Sequence, residues 1–206
     1  MTGKSTEMVF VMDRSGSMSG LESDTIGGFN SMIEKQKKQE GDAIVSTVLF
    51  SNTMEILHDR VALKDIGKMT DREYFVTGCT ALLDAVGGTI ERIDGIHRKD
   101  PENVPDSTLF VIITDGLENS SREYTYRKVK DLIDKCKEEG WDFLFLGANI
   151  DVAAEAERIG ISGRNAVAYD CDSRGIEVLY NCVDARMCYA REHGSFDGGD
   201  FDKIDD

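Results

Sequence analysis

Glu7-Met8-Val9-Phe10-Val11-Met12 runs without a break into Asp13-Arg14-Ser15-Gly16-Ser17-Met18. The first half is apolar without alternation, the pattern of a strand covered on both faces. The second half is a tight turn carrying one carboxylate and two hydroxyls. Because Asp13, Ser15 and Ser17 alternate, their side chains can converge on one point at the strand end. Oxygen donors of this kind suit a hard cation such as Mg²⁺ or Ca²⁺. Two later strand ends extend the pattern: Gly78-Cys79-Thr80 opens a helical stretch, and the apolar run Leu109-Phe110-Val111-Ile112-Ile113 ends in Thr114-Asp115-Gly116. The alternative, that Asp13, Ser15 and Ser17 merely cap the following helix, accounts for one of the three loops and leaves the other two without a reason.

Together these stretches resemble the von Willebrand factor A (vWA) domain and its metal-ion-dependent adhesion site (MIDAS), whose signature is Asp-x-Ser-x-Ser, then a Thr after a Gly-containing turn, then Thr-Asp-Gly. The resemblance covers the chain from Thr6 to about Tyr169 and is of the single-domain type found in bacteria and phages. It implies that Asp13, Ser15, Ser17, Thr80 and Asp115 ligate a metal, with Mg²⁺ expected and Mn²⁺ or Ca²⁺ as substitutes. It also implies a partner protein that offers an Asp or Glu side chain to the cation. Only two of the five implied ligands are acidic, and Mg²⁺ wants six oxygens, so a position is left for an outside carboxylate.

Apolar runs alternate with helix-period segments along the chain, the mark of an α/β sheet wrapped by helices. A helix is expected from Leu21 to Gln39 on the stripe Ile26, Phe29, Ile33, followed by two strands joined as a hairpin at Ser51-Asn52-Thr53. A polar stretch from Lys64 to Gly78 precedes a helix with the stripe Leu83, Val86, Ile90, Ile93. After the strand ending at Thr114, Ser120 and Glu123 form a capping box for a helix that buries Val129, Leu132, Ile133 and Cys136. Trp141 to Gly147 reads as a strand, Val152 to Ile159 as a short helix, Asn165 to Tyr169 as an edge strand and Ser173 to Glu192 as a last helix. The resemblance implies a three-layer, doubly wound, Rossmann-like sheet of six strands in the order 3-2-1-4-5-6, mostly parallel, with one antiparallel edge strand. In that order the sheet reverses direction between the strands ending at Asp13 and Asp115. Open α/β sheets bind ligands at the carboxyl ends of strands at such a reversal.

Composition narrows the function. At 206 residues, 40% of them hydrophobic, residues 1–194 are expected to form one domain and residues 195–206 an acidic tail without structure. Nothing after Met1 resembles a signal peptide or a membrane span, so a cytoplasmic protein without membrane contact is expected. Five cysteines in odd number, with no Cys-x-x-Cys, argue against a disulfide framework or a zinc site. A net charge of −15, with 39 acidic against 24 basic residues, disfavours nucleic acid as a partner.

Specificity is expected from the rim of the site: Arg14, Met18, Tyr74, Phe75, Glu118, Asn119 and Asn149. Glu118 and Asp151 would repel an acidic partner, so a basic or mixed-charge flank around the partner's carboxylate is expected. Two other functions compete with docking. A metal-dependent hydrolase or phosphotransferase would share a strand-end Asp, yet no P-loop or His-Glu-x-x-His occurs, and Ser15 stands where aspartyl-phosphate enzymes need a second Asp. A structural subunit with a vestigial metal site is the other alternative. His58, His97 and His193 are expected on the surface, none placed as a base.

Overall fold

The alternation of side chains along the central strand decides which helices cover which face. In the computed structural model, which describes residues 5–196, β1 spans Thr6–Asp13 and is buried along its whole length. Met8, Phe10 and Met12 point to one face and join a core with α1 (Glu22–Gln36) and α5 (Ser173–His193). Val9 and Val11 point to the other and pack with α2 (Leu82–Lys99) and α3 (Tyr126–Glu138). Both faces are therefore apolar, which is why the strand reads as a continuous hydrophobic run.

The remaining strands are β2 (Ala43–Phe50), β3 (Met54–Ala62), β4 (Ser107–Thr114), β5 (Trp141–Gly147) and β6 (Ala166–Ala168), with the short α4 (Val152–Arg158) between β5 and β6. Their order in the sheet is β3-β2-β1-β4-β5-β6, and only the β2–β3 pairing is antiparallel. This is the six-stranded, doubly wound sheet expected from the sequence. β1 and β4 are neighbours, so Asp13 and Thr114-Asp115 emerge side by side at the same edge.

Close approach of α1 to α5 depends on Gly28, where a Cβ would lie 2.2 Å from Cδ2 of Tyr180. All five residues of the α5 stripe, Ile176, Leu179, Tyr180, Val183 and Met187, are buried against the sheet.

Three expectations need correction. The helix expected from Ser120 begins at Tyr126, with Thr125 as N-cap accepting from the Lys128 N–H. The Ser120–Glu123 capping box does not form because two carboxylates claim the backbone first. Glu118 accepts from the N–H groups of Ser120 and Ser121, and Asp84 accepts from those of Arg122, Glu123 and Tyr124. His97 is buried rather than on the surface, because its Nε2 lies 2.6 Å from the buried Glu7 carboxylate and its ring packs against Trp141. At the C-terminus, Phe196 is buried in the core and the Ser195 hydroxyl donates to Asp142, so packing continues past residue 194. The acidic stretch 197–206 lies outside the described residues.

Candidate metal centre

Three loops build the site, and each is held by bonds that its own sequence supplies. At the end of β1, the Ser15 N–H donates to Asp13 Oδ1 at 2.7 Å, folding the chain back over the carboxylate. A short 3₁₀ turn at Gly16–Met18 follows, and the Met18 side chain is buried beneath it, 1% exposed. The second loop is stitched to the first through Thr77 N–H to Arg14 C=O at 2.8 Å and Gly16 N–H to Gly78 C=O at 3.0 Å. Gly78 has φ +71°, and a Cβ there would lie 2.0 Å from Asn52 Oδ1, so only glycine fits the turn that presents Thr80. The third loop leaves β4, and Asn119 clasps Thr80 by accepting from its N–H and donating to its C=O, both at 3.0 Å.

The side chains meet as a chain of oxygens. Thr80 Oγ1 donates to Ser15 Oγ at 3.0 Å, Ser15 Oγ lies 3.1 Å from Ser17 Oγ, and Ser17 Oγ donates to Asp115 Oδ1 at 2.6 Å. Adjacent oxygens in an octahedral Mg²⁺ shell lie about 3 Å apart, given metal–oxygen distances of about 2.1 Å. The Thr80–Ser15 and Ser15–Ser17 separations match that spacing, and the Ser17–Asp115 pair is closer. Asp13 is differently engaged, since Oδ1 holds Ser15 and Oδ2 accepts from Thr114 Oγ1 at 2.7 Å. Its place is behind the oxygen chain, where it ties the first loop to the third.

Charge around the cluster is one-sided. Burial pushes the Asp13 carboxyl up to about 6, outweighing the bonds from Thr114 and Ser15, and the nearby Asp115 charge adds to the rise. Burial also raises Asp115. Among the described residues no basic side chain pairs with either acid; the adjacent Arg14 turns away to Glu55 Oε2 at 2.8 Å. No group of three or more His, Cys, Asp or Glu side chains among those residues could hold a metal either. A cation here would have to be a hard one that accepts hydroxyl oxygens.

Behind the oxygens, two tyrosines brace the strand ends. The Tyr74 hydroxyl donates to the Asp13 C=O at 2.7 Å and the Tyr169 hydroxyl to the Thr114 C=O at 3.2 Å. Cys171 Sγ lies 3.8 Å from Asp115 Oδ2, and the Asn149 side-chain amide donates to the Asp115 C=O at 3.5 Å from a left-handed backbone, φ +59°.

The structure thus brings Asp13, Ser15, Ser17, Thr80 and Asp115 together and redistributes the expected rim. Phe75, Asn119 and Asn149 are exposed around the oxygens. Tyr74 is not on the rim, being 1% exposed, because its hydroxyl is needed inside on the Asp13 carbonyl. Met18 is likewise the buried anchor of its turn. Arg14 is buried beneath the Phe75 ring, with its guanidinium carbon 4.8 Å from the ring centroid. Glu118 turns inward to the first turn of α2 and to Ser120 and Ser121. Sequence reading passed over Tyr169 and Cys171, which arrive from the loop after β6. Their only signal was position just past a strand of the parallel sheet.

No protein-family model and no curated protein matches the sequence. Solved structures do match in fold. Proximal thread matrix protein 1 from the mussel byssus, solved with a zinc-occupied MIDAS motif, is 16% identical, with a TM-score of 0.63 over 91% of this chain and 46% of its own. The manganese-loaded TRAP protein of Plasmodium vivax is 16% identical, with a TM-score of 0.59 over 87% of this chain and 73% of its own. The vWF domain of the type V pili tip protein Mfa5 from Porphyromonas gingivalis is 11% identical, with a TM-score of 0.60 over 90% of this chain and 97% of its own. The chain spans about half the length of the mussel protein.

Proposed function

We propose that this chain, whose fold is that of vWA domains, is a divalent-cation-dependent docking module for another protein. Ser15, Ser17, Thr80 and Asp115 would hold the cation, Mg²⁺ or Mn²⁺, while Asp13 supplies compensating charge and ties the loops together. When bound, the cation offers positive charge and an open position to an Asp or Glu carboxylate of the partner. The observation that carries this reading is the convergence of four oxygen donors from three loops at 2.6–3.1 Å spacing. One of the four, Asp115, and the Asp13 behind them are buried acids that no basic side chain compensates among the described residues. The zinc and manganese named for the two structural neighbours are consistent with a divalent cation.

A hydrolytic role fits the site less well, because a metal-bound water needs a base within reach. The three histidines are engaged elsewhere: His97 with Glu7, His58 with Thr47, and His193 with the Tyr189 carbonyl.

The test is a calorimetric titration of metal-stripped protein with Mg²⁺ and with Mn²⁺, run beside the Ser15→Ala, Ser17→Ala double variant. Saturable one-to-one binding that the double variant loses is the expected result. Equal binding by both proteins would place the cation elsewhere and overturn the assignment.

A further inference from the structure

At the end of the sheet opposite the metal centre, where β1 and β2 begin and β3 ends, lies a cavity of about 620 Å³, within the size range of small-molecule sites. Its charged lining is Lys37, Arg60, Lys64 and Arg191 against Asp42 and Glu102. Four cations to two anions reverses the balance of a chain that carries 39 acidic and 24 basic residues. Positive charge stays in excess even with Lys37 set against its partner Glu34, at 2.8 Å.

The other three cations are poorly compensated by the chain. Arg191, in the last turn of α5, is 7% exposed, and its guanidinium donates to the carbonyls of Gln36 at 2.8 Å, Glu40 at 3.1 Å and Gly41 at 2.9 Å and to Gln36 Oε1 at 3.2 Å. These neutral acceptors fix the group without cancelling its charge, and no carboxylate pairs with it among the described residues. A buried charge is costly unless an opposite charge is near. Lys64 is exposed and makes no ion pair or side-chain hydrogen bond among those residues. Arg60 Nε lies 3.4 Å from one Glu7 oxygen while His97 takes the other, which leaves the terminal nitrogens of Arg60 without a hydrogen bond there. The backbone of Arg60 is also unusual. It has φ +52°, and Asn149 at the metal centre is the other non-glycine residue in the left-handed region among the described residues. Asn visits that region readily and Arg does not. Arg60 is held there where the β2–β3 register slips between Val45 and Thr47, with its N–H donating to the Ser46 hydroxyl at 3.1 Å. Strained backbone of this kind gathers at ligand sites.

We infer that this cavity is a second binding site, independent of the metal centre, for a small organic anion: a carboxylate or phosphate group on an apolar body. Arg60 and Lys64 supply the free donors for the anionic group, and the fixed charge of Arg191 adds to the field it meets. A planar guanidinium suits both carboxylate and phosphate oxygens. Ile44, Leu63, Val104 and Pro105 line the same cavity, and Val104 is 40% exposed, so an apolar body gains by covering them. Asp42 and Glu102 on the wall repel a second negative group, which favours a ligand with one anionic end over a polyanion.

The test is a calorimetric titration of the full chain, in EDTA and again in Mg²⁺, with phenyl phosphate, phenylacetate, inorganic phosphate and phenethylamine. One or both organic anions should bind saturably at one site, about tenfold more tightly than inorganic phosphate, equally in EDTA and in Mg²⁺, and phenethylamine should not bind. Which of the two binds identifies the anionic group as phosphate or carboxylate. Val104→Glu sets a like charge on the wall and should weaken binding by about tenfold or more, and Lys64→Gln should weaken it several-fold. Both positions are exposed, so both variants should fold, which thermal unfolding checks. Arg60→Gln should abolish binding, and the two exposed variants decide the matter if the loss of its contact with Glu7 unfolds the chain. The inference is overturned if neither organic anion binds, if inorganic phosphate or phenethylamine binds as tightly as they do, if binding requires Mg²⁺, or if Val104→Glu or Lys64→Gln leaves binding unchanged.

Discussion

Glu7 and Asp13 stand near opposite ends of β1, both buried, and the chain treats them in opposite ways. Glu7 is compensated from within: His97 Nε2 lies 2.6 Å from one oxygen and Arg60 Nε 3.4 Å from the other. Asp13 accepts from a hydroxyl and a backbone N–H, and the charge acting on it is that of another acid, Asp115, among the described residues. A buried carboxylate is costly unless paired. At one end of the strand the cation is built into the sequence, and at the other, on the function proposed above, it would come from solution.

The largest effect should come from breaking the self-sufficient end. Glu7→Ala leaves Arg60 and His97 facing a vacated site, and urea unfolding should show a loss of roughly 3–5 kcal/mol, the same in Mg²⁺ and in EDTA. A loss that Mg²⁺ reverses would erase the distinction between the two ends.

Next comes the open end. A carboxyl raised from 3.8 to about 6 in the folded state favours folding when protonated. Its penalty is absent below about pH 4, grows as pH rises through the window to about 6, and is complete above it, at about 3 kcal/mol. In EDTA, Asp13→Asn should therefore match wild type near pH 4 and exceed it in stability near pH 7, with Mg²⁺ stabilising only the wild type. The same protonation should weaken Mg²⁺ binding to wild type as pH falls below about 6, by up to about tenfold per unit.

Removing a brace is a smaller perturbation. Tyr74→Phe deprives the buried Asp13 carbonyl of its hydroxyl donor and should cost about 1–1.5 kcal/mol in thermal or urea unfolding. It should weaken Mg²⁺ binding several-fold, whereas a variant that keeps full metal affinity would show that the tyrosine supports the fold alone. The smallest effects calibrate the scale away from both ends. Thr125→Ala should cost about 1 kcal/mol as the true N-cap of α3, and Ser120→Ala less than about 0.5 kcal/mol. The reverse order would restore the capping box.

Much of the molecule was legible in advance, and for a definite reason in each case. β1 and β4 declare themselves because strands covered on both faces must be apolar throughout, and their ends announce the site because Asp13 and Asp115 interrupt that apolar run. The helix stripes of α2 and α5 follow from one-sided burial, and all the stripe residues named for them are buried. The start of α3 was misread because Ser120 and Glu123 have the right spacing for a cap, while their backbone N–H groups are claimed by Glu118 and by Asp84, a residue on α2. His97 was misread because a lone histidine at a helix end carries no sign that a glutamate on the first strand will meet it.

Local pattern in the sequence, that is hydrophobic runs, helical periods and the placement of Asp, Ser and Thr at strand ends, gave the alternation of strands and helices and the oxygen-bearing residues, while the strand order came from the resemblance to vWA domains. Which of the neighbouring residues turn outward is settled only in the tertiary structure. Tyr74 and Phe75 are adjacent in the chain, yet one hydroxyl finds the Asp13 carbonyl and is buried, and the other ring is left exposed over Arg14. Glu118 and Leu117 divide in the same way, the carboxylate drawn in by backbone N–H groups and the aliphatic side chain left outside. Which member of each pair turns inward depends on hydrogen-bond partners that folding brings from distant parts of the chain, and no local pattern encodes them.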